Sequence, residues 1–218
     1  MLEEYRDSGT RIDSGRLLDA VATSPPKPKL VLCVGHSRGG DSGAISYDGS
    51  SNEWQYNREL ASEIALQVSE NIDVTIIDQY QGGSYAEAMY YLNTVVNEIK
   101  PNLVVELHFN SFHDPLTRGF ETLYWHSSKN GKAAATSLQR SIAELFPNNT
   151  NRGIVPIASS KQRGSKFLRS LKPPCVILEP FFGSNPSEWE MFRTKDGKKG
   201  LAQAITQGLQ ECLLDGHK

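Results

Sequence analysis

Cysteine is scarce in this chain: three in 218 residues, an odd number with no repeated spacing. That excludes a disulfide framework, and Cys33, Cys175 and Cys212 read as mostly buried thiols rather than a cysteine metal site. No apolar run approaches the roughly 20 residues needed to cross a bilayer. The start, Met1-Leu2-Glu3-Glu4-Tyr5-Arg6-Asp7, has neither the basic opening nor the apolar segment of a signal peptide. The expectation is therefore a soluble protein made in the cytoplasm, with no membrane insertion. Net charge is also lacking, since 23 basic residues nearly balance 25 acidic ones. Such a balance gives no electrostatic reason to expect a nucleic-acid or membrane-surface partner. Internal repeats and low-complexity segments are absent too.

What is present has the length for one substantial core. Residues 1–28 are polar apart from Leu17-Leu18-Asp19-Ala20-Val21, and they end in Ser24-Pro25-Pro26-Lys27-Pro28, which reads as an arm and stiff linker. The boundary of the main domain, 29–218, falls there. Beyond it strands and helices alternate. Strands are predicted over Leu30 to Val34, Ile72 to Ile77, Leu103 to His108 and Pro174 to Glu179. A half-exposed strand is predicted over Gly119 to His126, and a short strand followed by a helical turn within 152–171. Helices are predicted from Glu53 through Val68, from Tyr85 to Ile99 before Pro101, over Ala133 to Phe146, near Ser187 to Phe192, and over Leu201 to Leu213. Strands separated by helices of this length imply an α/β fold, a three-layer αβα sandwich on a mostly parallel, roughly six-stranded sheet.

The chemistry gathers at strand ends. Leu30-Val31-Leu32-Cys33-Val34 runs into Gly35-His36 and a loop too rich in glycine and serine to be helical. Gly35-His36-Ser37-Arg38-Gly39 matches a G-x-S-x-G nucleophile elbow with Ser37 as nucleophile. That motif requires a sharp strand-to-helix turn and several strands ahead of it, and both are missing. Its late histidine candidate, His217, sits beside the terminus. The other reading starts from placement: His36, His108 and Glu179 each end an apolar strand, and Glu53 opens the helix after the first. If those strands are parallel neighbours, all four side chains meet at one edge of the sheet. Two imidazoles and one carboxylate make a three-ligand zinc site with an open position for water, and the other carboxylate is left free to act as base.

Taken in order, these residues resemble the zinc-dependent N-acetylmuramoyl-L-alanine amidases, the cell-wall hydrolases of bacteria and phage endolysins. The resemblance rests on Gly35-His36 with Gly39-Gly40-Asp41-Ser42-Gly43-Ala44, on Glu53 and Asn57, and on His108-Phe109-Asn110-Ser111. It continues through Gly119-Phe120-Glu121-Thr122, Asn151-Arg152-Gly153, and Pro174 to Glu179 with Ser184-Asn185. It implies Zn²⁺ held by His36, Glu53 and His108, Glu179 as the catalytic carboxylate, and peptidoglycan as the partner. The bond it implies is the amide between N-acetylmuramic acid and L-alanine. Such an enzyme would reach the wall by another route than a signal of its own, as an endolysin does. Three departures stand out: Cys33 takes a position where the family usually carries an acid, Ser37-Arg38 lengthens the loop by one residue, and Pro180-Phe181-Phe182-Gly183 follows Glu179 where the family tends to place glycine sooner. A zinc carboxypeptidase of related fold, a non-catalytic wall binder and the serine hydrolase are the alternatives.

Overall fold

Strands written as unbroken apolar runs have to be covered on both faces. The computed structural model, which describes residues 26–37, 39–68 and 70–215, shows how this chain meets that demand. Its elements are β1 (Lys29–Val34), α1 (Glu53–Val68), β2 (Asp73–Ile77), α2 (Tyr85–Ile99), β3 (Leu103–Leu107) and β4 (Phe120–Trp125). Then follow α3 (Lys129–Leu145), β5 (Asn151–Ile157), α4 (Ser165–Ser170), β6 (Cys175–Glu179), α5 (Pro186–Phe192) and α6 (Lys195–Gln210), with a π turn over Glu211–Asp215. The arm expected over 1–28 lies outside the described residues as far as position 25.

The strands form one sheet in the order β2-β1-β3-β6-β4-β5. Strands β2, β1, β3 and β6 are mutually parallel. Strand β4 runs antiparallel to β6, and β5 follows β4 in parallel. The sheet is mostly parallel, as expected, and the reversal brings the start of β4 to the edge where β6 ends, with Glu121 opposite Glu179. Leu30, Leu32, Val105, Leu107, Val176 and Leu178 face the layer of α1, α3 and α6. The alternate residues Val31, Cys33, Val104, Cys175 and Ile177 face α2 and α4. Each such side chain, fully buried, contributes about 1.5–3 kcal/mol of transfer free energy, and that two-sided burial fixes the strand ends relative to one another.

Three expectations shift. Strand β4 is not half-exposed, for Phe120 through Tyr124 are all buried. Its alternating polar residues have internal partners instead of water: Thr122 Oγ1 donates to Gln139 at 2.9 Å, and Glu121 is paired with arginines. Helix α3 starts a turn earlier than its apolar pattern, because Ser128 caps it by accepting from Gly131 N. Helix α6 likewise starts at Lys195 under a Thr194 cap. Its first turn passes so near α5 that a Cβ on Gly197 would lie 1.9 Å from the Met191 carbonyl oxygen, so glycine there marks close packing, not the end of a helix.

Candidate metal centre

The neighbouring strands β1, β3 and β6 end side by side, and the histidines and carboxylate that follow them share one edge. The β1–β3 ladder continues one residue further through Gly35 N to Leu107 O, 2.9 Å, which sets His36 beside His108. A Cβ on Gly35 would lie 2.3 Å from His108 Cε1, so only glycine leaves room for that ring. His36 itself takes a left-handed backbone, φ 59°, and turns its ring edge-on to His108 at 5.1 Å between centroids. Such a backbone is uncommon for a residue with a side chain and tends to be kept where function needs it.

Glu53, the first residue of α1, enters from the opposite layer. Its carboxylate accepts from Ala44 N at 3.1 Å and Phe109 N at 3.2 Å. Oε1 lies 2.7 Å from His108 Nδ1 and Oε2 lies 3.3 Å from His36 Nε2. His36, Glu53 and His108 each offer a donor atom within 4.8 Å of the others'. Gly43, at φ +69°, completes the cradle: a Cβ there would meet Glu53 Oε2 and His36 Cδ2 at 2.7 Å. Two imidazoles and a carboxylate, with small residues pressed around them, suit a borderline-soft divalent cation. Asn57, four residues along α1, donates to the Glu53 carbonyl at 2.9 Å and braces the helix start.

Electrostatics follow from this crowding. For Glu53, burial opposes ionisation, but the hydrogen bond and charge of His108 and then the charge of His36 outweigh it, and its carboxyl is held below the usual range. For His108, burial works against the charged ring, while Glu106 and then Glu53 raise its pKa well above the ordinary value. Burial pushes the thiols the other way from thiolate, Cys33 well above its ordinary value and Cys175 up to about 12. Neither is a metal ligand in that state.

Glu179, 6% exposed, ends β6 on the wall of a cavity of about 480 Å³ that also takes in His36, Glu53 and His108. Burial raises its pKa, as do Glu53 and Glu121, against the opposing charges of His108 and Arg163. Arg163 Nη1 donates to its Oε1 at 2.8 Å. Oε2 is buried and has no hydrogen-bond partner among the described residues. Arg163 also grips Glu121, which accepts from Arg152 Nε at 3.1 Å and Asn110 Nδ2 at 2.9 Å.

The structure thus brings together all four residues singled out, three at strand ends and Glu53 at a helix start, around one cavity. Ser37 is different: it is 5% exposed and its hydroxyl donates to Val34 O. The His36 nitrogens face Asp41 and Glu53, so His36 does not address Ser37 as a base, and the described residues that follow form a loop rather than a helix. His217 lies outside the described residues. Sequence reasoning missed Glu106 and Arg163. Glu106 had a signal, a carboxylate inside an otherwise apolar strand; Arg163, in a loop, had none.

Residues 30–211 match the sequence profile of the family described as N-acetylmuramoyl-L-alanine amidase. The chain belongs to that family. Among its relatives is the probable cell wall amidase LytH of Staphylococcus saprophyticus subsp. saprophyticus, 30% identical over 189 residues, which are 85% of this chain and 59% of LytH. LytH of Staphylococcus aureus is 26% identical over 184 residues, 57% of its length; the chain thus spans less than two thirds of these curated relatives. Among solved structures, the catalytic domain of the CD27L endolysin targeting Clostridia difficile superposes with a TM-score of 0.68 at 28% identity, covering 84% of this chain and 97% of that one. The catalytic domain of CwlV, an N-acetylmuramoyl-L-alanine amidase from Bacillus (Paenibacillus) polymyxa var. colistinus, gives 0.72 at 24% identity, with 84% and 97% covered, and supports the fold.

The amidase motifs now have physical reasons. Ser184 Oγ accepts from Phe112 N at 3.0 Å, while Asn185 caps α5 and donates to Pro115 O at 2.8 Å. These contacts tie the loop after β6 to the loop after β3. Arg152 of the asparagine-arginine-glycine stretch pairs with Glu121 and lies over the Phe182 ring.

Proposed function

We propose that this amidase hydrolyses the amide between N-acetylmuramic acid and L-alanine in peptidoglycan, using Zn²⁺ held by His36, Glu53 and His108. Residues 29–218 would form the catalytic domain and 1–28 an arm. The observation that carries the reading is the convergence of three ligand side chains beside an unoccupied carboxylate oxygen, Glu179 Oε2, in a chain of this family. When bound, zinc supplies Lewis acidity toward a carbonyl oxygen and brings the pKa of water down to about 7. Glu179 takes the proton from the attacking water through Oε2 and delivers it to the departing alanine nitrogen as the carbon–nitrogen bond breaks. Arg163, by occupying Oε1, leaves Oε2 as the carboxylate oxygen without a hydrogen-bond partner among the described residues. Glu53, fixed by two backbone N–H donors and two imidazoles, is shaped for holding rather than for moving protons.

Digestion of purified peptidoglycan tests this. Expected are new alanine amino termini, no new reducing sugar ends, and loss of the activity on chelation with recovery on adding zinc. Release of a carboxy-terminal amino acid instead would identify a carboxypeptidase. Wall binding without any new end group would identify a binder.

A further inference from the structure

His108 has two ring nitrogens and the structure gives each a carboxylate. Nδ1 faces Glu53 Oε1 at 2.7 Å, inside the ligand set, and Nε2 faces Glu106 Oε2 at 3.3 Å, outside it. Glu106 is 5% exposed and sits on β3 two residues before His108, on the same face of the strand. Its other oxygen, Oε1, accepts from the Tyr80 hydroxyl at 2.8 Å. Tyr80 is buried, and its backbone N donates to Ser37 O at 3.1 Å, so the brace returns to the loop that carries His36. A buried carboxylate in a central strand is costly unless it is paired. Packing alone would fill that place more cheaply with an aliphatic side chain, so this one calls for a task.

We propose that Glu106, braced by Tyr80, is a positioning residue that holds His108 as the Nε2–H tautomer with Nδ1 turned to the metal. An imidazole ligates through one nitrogen only when the proton resides on the other, and a carboxylate accepting that N–H both fixes the ring and makes it a better donor. His36 has the mirror arrangement, Nδ1 at 2.9 Å from Asp41 Oδ1 with Nε2 toward Glu53. The two rings thus present opposite nitrogens, and each choice is made by its outer carboxylate. The acceptor for His108 comes from the register partner of Cys33 on the adjacent strand, which puts an acidic side chain at this depth on β3 and none on β1. The role rests on His108 being a metal ligand.

The test uses the full chain as zinc-loaded protein, with zinc affinity read by chelator competition and ring tautomers by ¹⁵N histidine NMR. Glu106→Leu is expected to weaken zinc binding by about tenfold to a hundredfold and to shift the His108 Nε2–H resonance away from its hydrogen-bonded position. Glu106→Gln, which keeps an acceptor oxygen and the size of the side chain, is expected to keep the tautomer and recover most of the affinity. Should Glu106→Leu fail to fold, Tyr80→Phe serves, with a smaller loss in the same direction. His108→Ala is the reference. If it loses zinc while the Glu106 and Tyr80 variants bind zinc within twofold of the parent and keep its Nε2–H signal, Glu106 does not position the ring. If His108→Ala itself binds zinc normally, the ligand assignment is wrong and this role falls with it.

Discussion

At the scale of single residues, two glutamates with similar burial are held by different neighbours, which is why different roles are proposed for them. Glu53 has both oxygens engaged by imidazoles and backbone N–H groups, whereas Glu179 has one oxygen engaged and one free. Glu53→Ala is expected to lower zinc affinity and activity together. Glu179→Gln should retain zinc and fold while losing on the order of a hundredfold to ten-thousandfold in kcat, the usual range for a general base. Zinc content and turnover measured on both variants check the assignment, and the opposite pattern would reverse it. Arg163 bears on the same Glu179 carboxylate. Burial has already raised the Glu179 pKa and Arg163 opposes the rise, so Arg163→Met should raise it further. A base must be ionised to work, so the acid limb of kcat/KM against pH moves to higher pH and the variant loses more at pH 6 than at pH 9. An unmoved acid limb would remove Arg163 from this role. Ser37→Ala, by contrast, removes only a hydrogen bond to Val34 O and should leave activity within a few fold, with no inhibition by serine-directed organophosphates; inactivation with zinc still bound would restore the serine.

At the scale of elements, the cavity depends on loops that strands alone do not fix. Glu188, in the first turn of α5, is buried and accepts from Gly119 N at 2.9 Å and Phe182 N at 2.8 Å. It therefore pins the entry of β4 and the loop after β6 at once. Glu188→Ala strands two backbone donors, each costing about 1–3 kcal/mol when buried and unsatisfied. Urea unfolding should show a loss on the order of 2–6 kcal/mol, with Glu188→Gln in between because it retains one acceptor. A variant as stable as the parent would mean that water replaces the carboxylate. The sequence could mark Glu188 only as a favourable first-turn acid beside the helix dipole. Its true partners lie 69 residues upstream and 6 upstream, which local pattern cannot supply.

At the scale of the whole molecule, the three proposed ligands, drawn from two strand ends and a helix start, would couple the sheet to the layer of α1 on binding a metal. A metal bound by the folded state alone stabilises it by RT ln(1 + [L]/Kd), about 4.1 kcal/mol at a thousand times Kd. For a domain of this size each kcal/mol is worth about 2–4 °C in Tm. Zinc-loaded protein should therefore melt on the order of 10 °C above chelated protein. Coincident melting curves would mean that the cluster does not bind zinc in the folded state.

Periodicity and chemistry along the chain determined the element order, the two-sided burial of the central sheet, and the strand-end placement of His36, His108 and Glu179 with Glu53 at a helix start. These follow from local regularities, since an apolar run predicts a buried strand and strand ends in α/β sheets gather at one edge. Only the tertiary structure decided the rest. The reversed β4 brings Glu121 opposite Glu179, the 158–164 loop carries Arg163 onto the Glu179 carboxylate, and β3 beside β1 pairs Glu106 with Cys33. Polar residues on β4 read as solvent-facing because alternation cannot distinguish water from a buried partner. Which oxygen of Glu179 stays free, and which nitrogen of each histidine turns inward, are consequences of contacts between distant segments, and the energy of such contacts exists only once the layers have closed.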